Sequence, residues 1–234
     1  SSAPTGSVIE IVEGTYLAPS GGFLICDTGG GFCDARRSLT VRAQAGAEVI
    51  LSGGSSGIIM VYKNDAPNGS DSHAIAFEDL TFANGYSASN GKSGGITLNG
   101  VNSSFTRVTF RDNTSEASST GGGALFAYLA SNTEITDSVF HDNSAKNEGG
   151  ALASADGTLV ITDSVFTNNS TSGENHRESA TGGAVHVTST HTGGDVLIRG
   201  THFEGNSSGC CAGALFSTGR WDSAAPSKVR VENS

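Results

Sequence analysis

One phrase occurs twice in this chain. ITDSVF spans residues 135–140 and returns at 161–166, 26 residues on. A phrase that recurs at a near-fixed spacing restricts the chain to stacked, self-similar units. Three further runs end in the same way: AFEDLTF at Phe82, SFTRVTF at Phe110 and LIRGTHF at Phe203. The five phenylalanines Phe82, Phe110, Phe140, Phe166 and Phe203 are 28, 30, 26 and 37 residues apart. Five positions before them stand Phe77, Phe105, Ile135, Ile161 and Ile198. Three positions after the last four stand Asn113, Asn143, Asn169 and Asn206; Phe82 departs from the pattern, its asparagine being Asn84. A polar stretch of varying length follows. It leads to a small-residue signal: GGITL from Gly94, GGALF from Gly122, GGALA from Gly149, GGAVHV from Gly182 and AGALF from Ala212.

Within each unit the apolar residues alternate with a period of two, so the units are built of strands rather than helices. A unit of a few short strands cannot bury its apolar face alone, but stacked coils can. Each strand then pairs in parallel with its counterpart one coil away, about 4.8 Å distant. The expectation is an all-β solenoid, a parallel β-helix of about seven coils. It forms a single domain over 1–234, less regular over 1–71 and repeated over 72–234. Phe110, Phe140, Phe166 and Phe203 are expected as one buried stack. Asn113, Asn143, Asn169 and Asn206 are expected as a ladder in a tight turn, where asparagine tolerates left-handed backbone and bonds locally. The Gly-Gly pairs suit sharp bends and close backbone approach.

Composition narrows the function. Glycine numbers 33 of 234 residues without a collagen-like period. The net charge is −10, with no basic cluster, which excludes phosphate neutralisation as a binding mode. No apolar run reaches the length of about 18 residues that a membrane helix needs. Threonines do not recur as Thr-x-Thr once per coil, so a flat ice-binding face is not indicated.

The pairing of GGA[LIV] with F-x-x-N resembles the repeat of the chlamydial polymorphic outer-membrane proteins. More broadly, the chain is similar to right-handed parallel β-helix domains of the pectate-lyase superfamily. GSVIEIVEGTY and RRSLTVRAQAGAEVILSGG, in residues 6–54, resemble the opening coils of that superfamily. The resemblance implies a right-handed β-helix. These are scaffold motifs and carry no particular activity.

Candidate sites are few. Three positions before the column phenylalanines stand Asp79, Arg107, Asp137, Asp163 and Gly200. Stacked, they form a charged column about 5 Å per step. Arg107, Asp137 and Asp163 are the candidates for lyase-like chemistry, since lyases of the resembled superfamily use carboxylates, an arginine and calcium. The adjacent Asp137 and Asp163 are also a weak calcium pair. The competing reading is a row of turn-favoured aspartates with an arginine neutralising its neighbours. No metal site and no cofactor are otherwise expected.

Cys26 and Cys33 flank DTGGGF and are expected to close a short surface loop as a disulfide. A bridge from Cys26 to Cys210 would span several coils, about 20 Å, beyond the Cα separation a disulfide allows. For the adjacent Cys210 and Cys211 the options are a vicinal disulfide, two thiols or bonds to another chain. Of the glycosylation sequons, Asn68, Asn102 and Asn168 are the better acceptors, because Asn113, Asn169 and Asn206 belong to the inward ladder. His73, His141, His176, His186, His191 and His202 fall at no metal spacing and are expected in loops or on outer faces.

The functional expectation is an extracellular or cell-surface structural or adhesive β-helix. Its partners would be other protein chains, further repeats or surface glycans, with no nucleic acid and no membrane insertion by this segment. The loops at 115–120 and 173–181 are the expected contact points. The alternatives are a polysaccharide-active enzyme of lyase or epimerase type and a carbohydrate-binding β-helix. SKVRVENS at 227–234 matches only the first half of a rung, so a longer parent chain or a covering neighbour is expected.

Overall fold

In the computed structural model the chain is described over residues 6–25, 38–54, 57–62, 74–129, 131–173, 180–189, 194–219 and 228–234. All its regular structure there is strand, and every strand pairing is parallel. Four sheets run along the solenoid. Sheet I has eight strands, from Ser7–Ile11 through Asn102–Thr106 and Thr133–Thr136 to Val229–Glu232. Sheet II has seven, from Gly14–Leu17 through Thr109–Arg111 and Val139–His141 to His202–Glu204. Sheet III also has seven, from Phe23–Ile25 to Leu215–Gly219. Sheet IV has five two-residue strands, from Tyr86–Ser87 to Ser207–Ser208. The chain visits the sheets in turn, which makes about seven coils of a parallel β-solenoid.

The alternation in sequence becomes an inside and an outside. On sheet II the register aligns Phe82, Phe110, Phe140, Phe166 and Phe203. Their rings stack at centroid separations of 4.9, 4.7, 4.5 and 5.1 Å. Phe82 therefore extends the expected stack by one ring. The first four rings are fully buried, whereas Phe203 is half-buried. A second column on sheet I runs from Phe77 and Phe105, stacked at 5.3 Å, to the buried Ile135, Ile161 and Ile198. Thus each coil contributes two large apolar groups, from positions five apart, to one continuous core.

Asn113, Asn143 and Asn169 lie fully buried. The backbone N–H and Nδ2 of Asn113 both donate to Asn143 Oδ1, at 3.1 and 3.0 Å. Asn143 donates in the same way to Asn169, and Asn169 to Asn206. Each Nδ2 also donates to the carbonyl of the phenylalanine one coil earlier, as Asn143 does to Phe110 O at 3.0 Å. For Asn143 and Asn169 this satisfies both amide hydrogens and both lone pairs, which buried amides require. In Phe82's coil the ladder slot is taken by Gly85, whose N–H donates to Asn113 Oδ1 at 2.9 Å. Asn84 instead turns the corner at φ 56°.

Sheet III corrects the alignment of one motif. Ile96 pairs with Leu125, so Gly94 aligns with Gly123, Gly150, Gly183 and Gly213, and the first signal is read one residue too late in the sequence. This second glycine is required by close approach: a Cβ on Gly150 would strike Gly183 O and the backbone of Ser170. The preceding position adopts left-handed backbone in three of the five coils, with φ 55° at Gly149, 65° at Gly182 and 56° at Ala212.

Candidate functional site: the corner column of Arg107, Asp137 and Asp163

Sheets I and II meet at a two-residue corner whose first residue forms a column. Its occupants are Asp79, Arg107, Asp137, Asp163, Gly200 and Asn233, with φ of 57°, 53°, 51°, 49°, 59° and 49°. The sharp turn from one sheet to the next places this residue in the left-handed region, which glycine, asparagine and aspartate enter at least cost. The aspartates are thus explained by backbone geometry before any chemistry is invoked. The register keeps them in consecutive coils, so the structure does bring Arg107, Asp137 and Asp163 into one column.

Arg107 is the exception, a long side chain at a left-handed position. Its guanidinium grips Asp79 in a two-point bond, Nε to Oδ1 at 2.6 Å and Nη2 to Oδ2 at 2.9 Å. That bond holds the Asp79 carboxyl below the usual carboxylate range, against a smaller upward push from burial. Both groups are about half exposed, so the pair is a surface ion pair worth roughly 0–1 kcal/mol. Asp137 feeds the field at Arg107 only at longer range. Asp163 Oδ1 lies over Gly200, where a Cβ would stand. Among the described residues no group of three or more histidine, cysteine, aspartate or glutamate side chains converges on one point. The column therefore offers two adjacent carboxylates and one arginine already engaged by Asp79.

A second corner, between sheets II and IV, repeats the device. Asn84, Asp112, Asp142, Asn168 and Gly205 hold φ of 56°, 56°, 56°, 55° and 64°. Every occupant is a residue type suited to left-handed backbone. Its signal was in the sequence, two positions after each column phenylalanine. Asp112 pairs with Arg111 and Asp142 with His141, both at 2.8 Å. Asn168 is exposed at this corner, whereas Asn102 is half-buried in sheet I and its Oδ1 accepts from Asn132 N. Asn68, Cys26 and Cys33 lie outside the described residues, as do His73, His176 and His191. The structure pairs Cys210 with Cys211.

His186 corrects an expectation. It is 3% exposed, not a loop or outer-surface residue. Its ring nitrogens contact Thr181 Oγ1 at 2.6 Å and Thr188 Oγ1 at 2.5 Å. Burial pushes its pKa down to about 4, opposed by a hydrogen bond to Thr181. Thr181 also bridges in parallel to Glu148, whose carboxyl is pushed up to about 7 by burial.

Residues 107–128 match the Chlamydia polymorphic membrane protein (Chlamydia_PMP) repeat. The matched span opens at Arg107 and takes in the Phe110 strand, Asn113, Gly122–Gly123 and the sheet III strand Leu125–Tyr128. It is most of one coil, and the flanking coils carry the same columns. The molecule is thus a β-solenoid with a PMP-type repeat. No curated protein and no solved structure matches the chain. The matched span contains residues assigned above to core, ladder and corners.

Proposed function

We propose that this chain is an extracellular or cell-surface β-helix that acts as a structural or adhesive element. It is a stiff segment whose loops make the contacts. The observation that carries this reading is the division of labour within each coil. The recurring residues go to stacking, ladder and corner positions, while the spacing between repeats varies only in the polar loops. Variable loops on a rigid frame are where recognition is built. The likeness to a membrane-protein repeat supports a surface location. In that setting Cys26 and Cys33 would be oxidised, and Asn168 is the more accessible of Asn102 and Asn168 for a glycan. Partners would be other chains, further repeats or surface glycans.

Beads coated with the chain, applied to cultured cells and immobilised matrix proteins, test the adhesive reading. Within 115–120, Ser115 and Ala117 are buried, so binding that is lost when the exposed residues 118–120 are replaced by Gly-Ser, with the unfolding midpoint unchanged, is the expected result. Indifference to that replacement, or no binding, counts against it. We further propose no polysaccharide cleavage, because the aspartates are explained by the corner and Arg107 is engaged by Asp79. Incubation with pectins, alginates and glycosaminoglycans, with and without calcium, should yield no unsaturated products. Turnover abolished by Arg107→Ala would establish the lyase reading instead.

A further inference from the structure

A cleft of about 280 Å³ opens at the N-terminal step of the solenoid, away from the corner column and beside the 115–120 segment, whose Ser115 hydroxyl donates to Lys92 O at 3.0 Å. The first strand of sheet IV, Tyr86–Ser87, and the following turn line it together with Gly57 and Ile59 of the preceding coil. Tyr86 is 40% exposed and lines one side. Lys92 lines another, half-buried, with no acid in ion-pair reach among the described residues.

The side chains lining this cleft carry hydrogens to give. Ser93 N–H donates to Thr97 Oγ1 at 2.9 Å, and the two hydroxyls share one bond at 3.3 Å. Two hydroxyl hydrogens and one bond between them leave one hydrogen to give. Ser87 Oγ accepts from Ser89 N at 3.3 Å, which leaves its own hydrogen free to donate. Two free hydroxyl donors and an ammonium therefore line one small space. None of the described lining residues is acidic, in a chain of net charge −10. Charge-assisted bonds from such donors favour an oxyanion. Beside them the Tyr86 ring offers a flat apolar surface for a small ring. The volume falls just under the roughly 300 Å³ at which drug-sized sites begin, which limits the occupant to a single ring.

We propose that this cleft binds a small ring-borne oxyanion, a carboxylate, sulfate ester or phosphate ester held by Lys92 and the Ser87, Ser93 and Thr97 hydroxyls, with its ring against Tyr86. The proposal does not rest on the adhesive reading, although Ser115 and Glu116 bond to the backbone of Lys92 and Ser87, and it is tested on the chain with residues 115–120 intact. Calorimetric titration of the chain with benzoate, phenyl phosphate, galactose sulfate, neutral galactose and inorganic sulfate tests it. At least one ring-borne oxyanion should bind one to one, and which one does identifies the anion. Galactose and inorganic sulfate should bind at least about tenfold more weakly, a difference of about 1.4 kcal/mol. Lys92→Gln and Tyr86→Ala should each weaken binding about tenfold. Lys92→Arg should retain binding, and Lys228→Gln, at the C-terminal end of the solenoid, should leave it unchanged. Unfolding midpoints equal to that of the original chain show that the variants fold. No binding of any probe, equal binding of galactose, or full binding by a folded Lys92→Gln chain overturns the proposal.

Discussion

Phe140 lies between Phe110 and Phe166, with ring centroids 4.7 and 4.5 Å away, and is fully buried. Phe140→Ala should cost about 3–5 kcal/mol, because the rigid coils above and below hold the cavity open. Phe203→Ala should cost clearly less, since that ring is already half-buried. Denaturant titration of both variants checks the order. Arg107 makes the opposite case. Left-handed backbone costs a long side chain roughly 1–2 kcal/mol, and its half-exposed ion pair returns about 0–1 kcal/mol. Arg107→Asn should therefore be neutral or stabilising by up to about 1 kcal/mol; a loss above that would show that the pair with Asp79 does more than surface pairing. His186 and Glu148 oppose one another in their pH response. The folded chain binds the His186 proton more weakly than the unfolded chain does. Its stability is therefore complete above the unfolded pKa of 6.5 and is lost as pH falls towards about 4. The buried Glu148 carboxyl holds its proton more tightly when folded. Its contribution is present below the unfolded 4.5 and is lost as pH rises towards about 7. Between those unfolded values the two slopes, about 1.4 kcal/mol per pH unit each, have opposite signs and largely offset. Relative to the original chain, stability should rise with pH in Glu148→Gln and fall with pH in His186→Gln. Thermal melts across that window read both slopes.

At the level of the strand and turn, the glycines separate into two kinds. Gly150 has no room for a Cβ, because backbone of Gly183 and Ser170 occupies the space. Gly46 has φ 79° and nothing within reach of a Cβ. Gly46→Ala should cost about 1–2 kcal/mol, the left-handed penalty alone. Gly150→Ala should cost more than about 3 kcal/mol or abolish soluble expression, since packed backbone cannot step aside as a side chain can. Equal costs at the two sites would contradict the packing assigned to sheet III. The same contrast explains what could be read from the sequence. The Phe and Asn columns were legible because one residue type recurs at one offset, and each has one mechanical use. The Asp79–Asp163 corner was visible as charge, but its meaning lay in φ, which charge does not report. The second corner mixes asparagine, aspartate and glycine, so no single letter marks it. Gly94 was placed one residue out because a Gly-Gly pair offers two equivalent registers until strand pairing chooses. His186 stands at the motif position of the buried Phe126, but its polarity pointed to the surface, and only the folded chain shows Thr181 and Thr188 satisfying its ring.

Across the whole molecule, stability is a sum over neighbouring coils, because each strand pairs only with its counterparts one coil away. The two end strands of sheet I each have one neighbour instead of two. Their inward positions show it: Ile9 is 47% and Val231 54% exposed, where Phe77, Phe105 and Ile161 between them are fully buried. Apolar parallel edges of this kind invite another strand. The polypeptide of 1–234 should therefore self-associate as its concentration rises, and Val231→Lys should weaken that association in sedimentation equilibrium. A monomer over the whole accessible range would show that these edges are protected.

The asparagine ladder ties each coil only to the coils directly before and after it, at chain separations of 30, 26 and 37 residues. Held by its termini and pulled in an optical trap, such a molecule has no single plane along which to tear. It should pay out one coil at a time, in steps of unequal length. A step of 26 residues releases about 90 Å of chain and one of 37 about 125 Å, at roughly 3.4 Å per residue. The tether would lengthen under load and shorten again when the load is removed, a graded compliance that a fold without stacked repeats does not have.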